Sequence, residues 1–286
     1  MSTVRRSETV NIQTSLFDFS YIASWFDCLD DLSHMALPEP WCFVAPGKTG
    51  ANLRTPILER YIKAIFHKQA IAHITADDYV KADQAFYVRN EFACFHTGLF
   101  TKRYDGIYMC FERNKRKNSM LDWYFKGWAD KSSHLLKYVE PLPKRPVYSS
   151  ILPTCDFFPE WEIRVNIDHI LGDEENIKRL PESLRDAWNL PLLLETAVEL
   201  GRRRALVTPS IVVPQVFQSC IQHLMPIYLT NPDHPDLAMA LSTVDGYYYG
   251  HTCLTLQMAY LNARLLVRPT TAWLRDLVES ERKQDA

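Results

Sequence analysis

Apolar positions in the first quarter of the chain recur at helical spacing. From Phe17 to Met35 the residues Phe19, Ile22, Ala23, Phe26, Leu29 and Leu32 fall three or four apart, the pattern of a helix with one buried stripe. Pro38 and Pro40 stop whatever precedes them. This predicts an outer helix within a helical N-terminal extension over residues 1–40. A second helix is predicted from Thr55-Pro56, because threonine caps and proline fits the first helical position. It carries Ile57, Leu58, Tyr61, Ile62, Ile65 and Phe66 on one broad face, which assigns it a structural role.

Between Ala85 and Trp128 the period shortens to two. AFYVRNEFACFHTGLF, GIYMCFE and LDWYFKGWA are rich in aromatic and β-forming residues, separated by TKRYDG and RNKRKNS, and predict a three-stranded meander. WEIRVN predicts a strand ending at Asn166 and running into IDHILGD. A helix follows around Ser183–Arg204, with Leu192, Leu193, Ala197 and Leu200 as its apolar side. IVVPQVFQ and CIQHLMPIYL read as two strands, each interrupted by a proline that belongs at an edge or a bulge. DLAMALSTVDGYYYGHT reads as a hairpin closed by Asp245-Gly246, the pair favoured in two-residue turns. Thr255–Val267 is the last long helix, stopped by Pro269, with a short helix around Trp273–Glu279 after it. With no repeat and no low-complexity linker, the expected fold is α+β: a single domain over residues 41–279, with a mainly antiparallel or mixed sheet flanked by helices, then a charged tail over 280–286.

Composition narrows the function classes. A chain of 286 residues, 47% hydrophobic, buries a sizeable core. Its formal charge of -2 gives no overall attraction for polyanions, so any nucleic-acid contact has to come from a local patch. The seven cysteines, at 28, 42, 94, 110, 155, 220 and 253, include no CxxC pair, and several sit in apolar runs; this reads as reduced thiols in the cytoplasm. No apolar core follows the N-terminal arginines and no run of 18 apolar residues exists, so neither a secretory signal nor a membrane-spanning helix is expected.

Several motifs invite chemistry. Pro46-Gly47-Lys48-Thr49-Gly50 contains the GKT of a phosphate loop, but the position that needs the first glycine is Cys42, which favours a polar surface loop. His96-Thr97-Gly98 closes an apolar strand with two hydrogen-bonding side chains and a glycine permitting close backbone approach; it is either a pocket wall or a strand-end bulge. Asn166 and His169 lie three apart after a strand, where they either point into one pocket or divide into a helix cap and an exposed imidazole. Nine histidines show no HxH, HxxxH or HExxH spacing, so no metal ligands are assigned. There is no GxSxG elbow for a hydrolase, and no motif identifies a cofactor. The basic run Arg113–Lys117 reads either as a solvated turn or, with Phe111, Trp123 and Tyr124 near in sequence, as phosphate contacts beside stacking rings, while Arg202–Arg204 at a helix end suits the helix dipole without any ligand.

The closing helix poses the sharpest question. A step of 100° per residue aligns Gln257, Tyr260, Arg264 and Arg268, while Asn262 falls between Met258 and Leu266 on the apolar side, where an unpaired amide is costly. Its partner is either a neighbouring strand or a ligand shared with Thr252 and Thr255. Helix starts favour anions, so a phosphate near Gly250–Thr255 is a physically reasonable ligand.

The strings FHTGL, YDGIYMCF, NIDHIL, VVPQ with LMPIYL, DLAMAL and YYYGHTCLTLQMAYLNARLLVRP, with WL beyond, resemble an uncharacterised bacterial family known as domain of unknown function 3825, over Trp41 to Leu274. Members that occur beside cold-shock or OST-HTH domains imply an association with RNA or nucleotides. The family pattern has Asn where this chain has His96, so the resemblance implies no catalytic role there. The first expectation is an RNA- or nucleotide-binding module with an anion site at the start of the last long helix, its ligand residues being Thr97, Gly98, Asn166, Tyr249, Gly250, Thr252, Tyr260, Asn262 and Arg264. A second is an enzyme acting on a nucleotide or RNA end, with His169 or His251 as general acid or base and Arg264 stabilising phosphate charge. The third is a protein-interaction scaffold. The residues specify no oligomeric state.

Overall fold

The computed structural model describes residues 12–39, 41, 55–89, 91–116, 119–146, 156–217, 220–266 and 268–275. The GKT loop and the charged tail lie outside them. The described residues up to 146 form one compact unit and those from 156 onward form another. Each is built on a five-stranded mixed sheet. The α+β class holds, with the strands shared between two sheets where the pattern alone suggested one.

In the first unit the expected helix over 17–35 is divided. α1 (Leu16–Phe19) gives way to the two-residue strand β1 (Ser20–Tyr21), and α2 (Trp25–Met35) restarts after Ser24, whose φ of 51° is left-handed. The interruption has a packing cause. β1 pairs in parallel with β5 (Trp123–Ala129), and Phe19, 2% exposed, stacks on Trp123 at 5.5 Å while touching Phe66, Phe86 and Phe111. What reads as an outer helix thus supplies the centre of an aromatic core. α3 (Pro56–Ile74) buries the six residues its pattern assigns to one face. α4 (Tyr79–Ala85) is capped by Asp78, which accepts from the Lys81 amide at 2.8 Å. The first predicted meander strand contains its own turn and splits into β2 (Phe86–Arg89) and β3 (Phe92–Phe100), followed by β4 (Gly106–Arg113). The sheet order is β1-β5-β4-β3-β2. On the face away from Phe19, Cys94, Tyr108 and Cys110 are covered by Leu136 and Val139.

The second unit contains β6 (Glu162–Val165), α5 (Ile167–Gly172), α6 (Glu174–Arg179), α7 (Leu190–Val207), β7 (Val213–Phe217), β8 (Cys220–Ile227), β9 (Leu237–Val244), β10 (Tyr247–Leu254) and α8 (Leu256–Arg264). Its sheet runs β6-β10-β9-β8-β7, with β6 parallel to β10 and the rest antiparallel. The Asp-Gly hairpin forms as predicted: Val244 pairs with Tyr247, and Gly246 takes φ 78°. Both prolines obey the edge rule, Pro214 in the edge strand β7 and Pro226 beyond Leu224, the last β8 residue paired with β7. α7 begins later than predicted and is rotated. It buries Leu190, Leu194, Ala197, Val198 and Ala205, leaving Leu192 61% and Leu200 38% exposed, because it carries more apolar residues than one stripe holds and the sheet selects among them. That stripe packs on Met225, Ile227, Met239, Leu241 and Tyr248, all on one sheet face. α8 ends at Arg264, short of the predicted Val267. Among the described residues no helix is long and apolar enough to cross a membrane.

Phe19→Ala is expected to destabilise the chain by about 3–5 kcal/mol in urea denaturation, as a large-to-small change in a closed core. Phe26→Ala, at a side chain 61% exposed, is expected to stay within about 0.5 kcal/mol of the parent.

Candidate functional site

The partner of Asn262 is another amide. Asn262 Nδ2 donates to Gln215 Oε1 at 2.8 Å, Gln215 Nε2 to Gln222 Oε1 at 2.8 Å, and Gln222 Nε2 to Ser242 Oγ at 3.0 Å. The last three stand directly opposite one another on β7, β8 and β9, so they share a face. Every amide donates in the same direction, so each bond polarises the next. The row ties α8 to the sheet through Gln215, which is 1% exposed. Of the two partners left open for Asn262, the structure supplies the strand.

Beyond that row the same face continues. Ser242 pairs with Tyr249 on β10, and Tyr249 with Arg164 on β6. The period of two sorts the three consecutive tyrosines. Tyr248 turns inward, fully buried, stacked on Phe157 at 4.9 Å, with its hydroxyl accepting from the Phe158 amide at 2.9 Å. Tyr247 and Tyr249 turn outward and are half-buried. The Arg164 guanidinium lies 4.1 Å from the Tyr247 ring centroid and pairs with Glu162 at 2.8 Å. A bulge between Gly250 and Thr252 inserts His251 as the extra residue, placing its exposed ring 4.8 Å from that of Tyr249. Partial burial, then the nearby His169, holds the His251 pKa below its ordinary value. The result is a polar sheet face edged by two tyrosines, a histidine and an arginine.

The other predicted ligand residues have structural employment. Asn166 caps α5, accepting from the His169 amide at 3.0 Å, and both side chains are exposed. This is the cap-and-exposed-imidazole alternative. Gly250 faces the core, where a Cβ would lie 2.7 Å from the Met239 sulfur. Thr252 Oγ1 donates to Asn176 Oδ1 at 2.6 Å and accepts from Arg179 at 3.1 Å, while Arg179 also donates to the Cys253 carbonyl at 2.9 Å; α6 thereby takes over the edge of β10 where β6 stops. At the start of α8, Thr255 Oγ1 accepts from the Met258 amide at 3.2 Å, so the chain caps its own first turn. Tyr260 and Arg264 are 1% and 8% exposed, packed inside the second unit.

Thr97 and Gly98 belong to the first unit and form a buried bulge between His96 and Phe100. Thr97 Oγ1 donates to the Ile107 carbonyl at 2.7 Å and accepts from the Leu99 amide at 3.2 Å. Gly98, at φ 79°, lies where a Cβ would run into the Tyr61 hydroxyl. His96 Nδ1 accepts from the Gly98 amide at 2.9 Å, and burial, reinforced by Arg145, lowers its pKa to about 4. Glu199 accepts from Arg202 and Arg203 at 2.9 and 2.7 Å, and Arg204 stacks on Tyr228 at 4.0 Å, which accounts for that basic run without a ligand. Among the described residues no group of His, Cys, Asp and Glu side chains could hold a metal ion.

Sequence reasoning missed Gln215, Gln222, Ser242 and Arg164. The demand of Asn262 for a partner points toward the two glutamines, but only the hairpin register makes them adjacent. Two mixed-sheet α+β units, one presenting an open aromatic and polar face, define the class of protein. The chain belongs to the family described as Domain of unknown function (DUF3825), whose model matches residues 32–273. No curated protein and no solved structure matches it.

Asn262→Ala leaves the buried Gln215 carbonyl without its donor and is expected to cost about 1–3 kcal/mol. In a double-mutant cycle with Gln215→Leu, the pair is expected to cost less than the sum of the single changes. His96 gives a pH signature. Below its ordinary pKa of 6.5 the unfolded chain takes up a proton that the folded chain refuses until about 4, so stability falls as pH drops through that window, by up to about 3 kcal/mol. His96→Asn is expected to flatten this slope in denaturation curves recorded between pH 7 and 4.

Proposed function

We propose that the second unit binds single-stranded RNA, or a nucleotide, on the open face of its sheet. The observation that supports this most is the grouping of half-exposed Tyr247 and Tyr249 with exposed His251 and Arg164 on β10 and β6, on the face opposite buried Tyr248. Aromatic rings accept any base by stacking. Residues two apart on a strand lie about 7 Å apart, a spacing that suits rings meeting successive unstacked bases. Arg164, ion-paired with Glu162, adds a guanidinium plane beside them. This reading puts the site on the strand face; at the start of α8 the Thr255 hydroxyl already accepts from the Met258 amide. With a net charge of -2 and few cations at the site, stacking supplies most of the affinity and salt dependence is shallow. The free thiols Cys28, Cys94, Cys110, Cys220 and Cys253 suit a reducing cytoplasm.

The neighbouring imidazoles favour a second reading. His169 is close enough to depress the His251 pKa, and two histidines beside a stacking platform could pass a proton from an attacking hydroxyl to a leaving oxygen. Under that reading, end-labelled RNA is cut by the parent chain and left intact by His251→Gln and by His169→Gln, the latter of which still binds it. RNA left intact by the parent dismisses catalysis and leaves binding.

Fluorescence anisotropy with a labelled uridine-rich 10-mer tests the primary reading. Tyr249→Ala and Tyr247→Ala are each expected to weaken binding by about fivefold to a hundredfold, as loss of one base stack does, whereas the Phe variants retain it. Unchanged affinity in both Ala variants overturns the reading.

A further inference from the structure

The first unit carries a second pair of outward-facing rings. Because β1 pairs in register with β5, Tyr21 stands opposite Tyr124; the rings stack at 6.0 Å and 26° and are 44% and 36% exposed. The Arg116 guanidinium lies 5.9 Å from the Tyr21 centroid. The loop that carries Arg116 is folded. The Arg116 amide donates to Asn114 Oδ1 at 3.1 Å, Asn114 Nδ2 to Ser119 Oγ at 2.8 Å, and the Asn114 amide to the Asp122 carbonyl at 2.8 Å. The Arg116 backbone is therefore held beside the rings, with exposed Lys115 next to it in the chain.

The charge balance favours an anionic partner. Glu112 is matched by Lys126 at 3.1 Å and Asp122 by Arg113 at 2.9 Å. Lys115 and Arg116, both exposed, form no ion pair among the described residues, so the patch keeps an uncompensated positive charge. The stacked pair Phe158 and Trp161 in the second unit offers a contrast: its rings meet at 4.9 Å, but its sequence neighbours Asp156 and Glu160 are acidic, which disfavours a polyanion. Stacked exposed rings beside unmatched cations are the combination that takes single-stranded nucleic acid without base preference.

We infer that Tyr21 and Tyr124, with Arg116 and Lys115, form a second stacking and phosphate contact for single-stranded RNA, separate from the face of the second sheet. This rests on the reading of the chain as an RNA binder. The test uses the full chain, the same labelled uridine-rich 10-mer, and four variants: Y21A/Y124A, Y21F/Y124F, Y247A/Y249A, and the combination of the two Ala pairs. Thermal melts confirm folding. Y247A/Y249A is expected to keep a weaker, salt-sensitive affinity that falls at least about fivefold further when Y21A/Y124A is added, while Y21F/Y124F matches the parent. K115E/R116E, exposed and outside the core, is expected to give the same fall and serves if the Ala pair does not fold. Parent-like affinity of Y21A/Y124A and K115E/R116E in both backgrounds overturns this inference and leaves the second-sheet reading standing. Binding unaffected by Y247A/Y249A but lost in Y21A/Y124A supports this contact and removes the other. A parent chain that binds no RNA overturns both.

Discussion

An amide on the apolar side of a helix has to be answered, and in this protein the answer organises the second unit. Asn262, Gln215, Gln222 and Ser242 form one directed row from α8 across β7 and β8 to β9. A one-residue slip of β7 on β8, or of β8 on β9, turns a member of the row to the opposite face and breaks it. The row therefore fixes strand register and helix position together. It also sets where α8 lies, mainly against β7, and among the described residues Tyr247 and Tyr249 on β10 stay half-exposed.

The chemistry of that open side follows from strand geometry. Alternation sends Tyr248 into the core and Tyr247 and Tyr249 out of it. Parallel pairing with β6 brings Arg164 onto Tyr247, and the bulge after Gly250 turns His251 toward Tyr249. Arg164, far in sequence from Tyr247, Tyr249 and His251, thus meets them because three local rules agree. All four stand on strands whose opposite face is packed, so the rings are held in place before any ligand arrives, and little ordering entropy opposes binding.

What the sequence disclosed was whatever local physics decides. Asp245-Gly246 forces a turn, Pro214 and Pro226 cannot stand in the middle of a ladder, and the buried face of α3 is written in its spacing. The requirement that Asn262 have a partner was legible too, though the partner's identity was not, because Gln215 lies 47 residues away in the chain and no periodicity links them. The other differences share that origin. The helical pattern over 17–35 is genuine, but Phe19 gains more in the aromatic core than a continuous helix returns, so the helix breaks. Thr97 and Gly98 look like a pocket wall because a bulge and a binding loop use the same residues. Thr252 looks available until α6 folds onto the β10 edge. Arg264 and Tyr260 share a polar stripe by angle with Gln257 and Arg268, yet the first two are buried while the last two are exposed.

Photo-crosslinking tests the central claim most directly. A 4-thiouridine-containing oligonucleotide irradiated with the full chain and mapped by mass spectrometry reports which residues lie against bases. The account expects adducts on Tyr247, Tyr249 or His251, suppressed by unlabelled RNA. RNA that binds the chain yet leaves the peptide spanning 247–251 unmodified contradicts it.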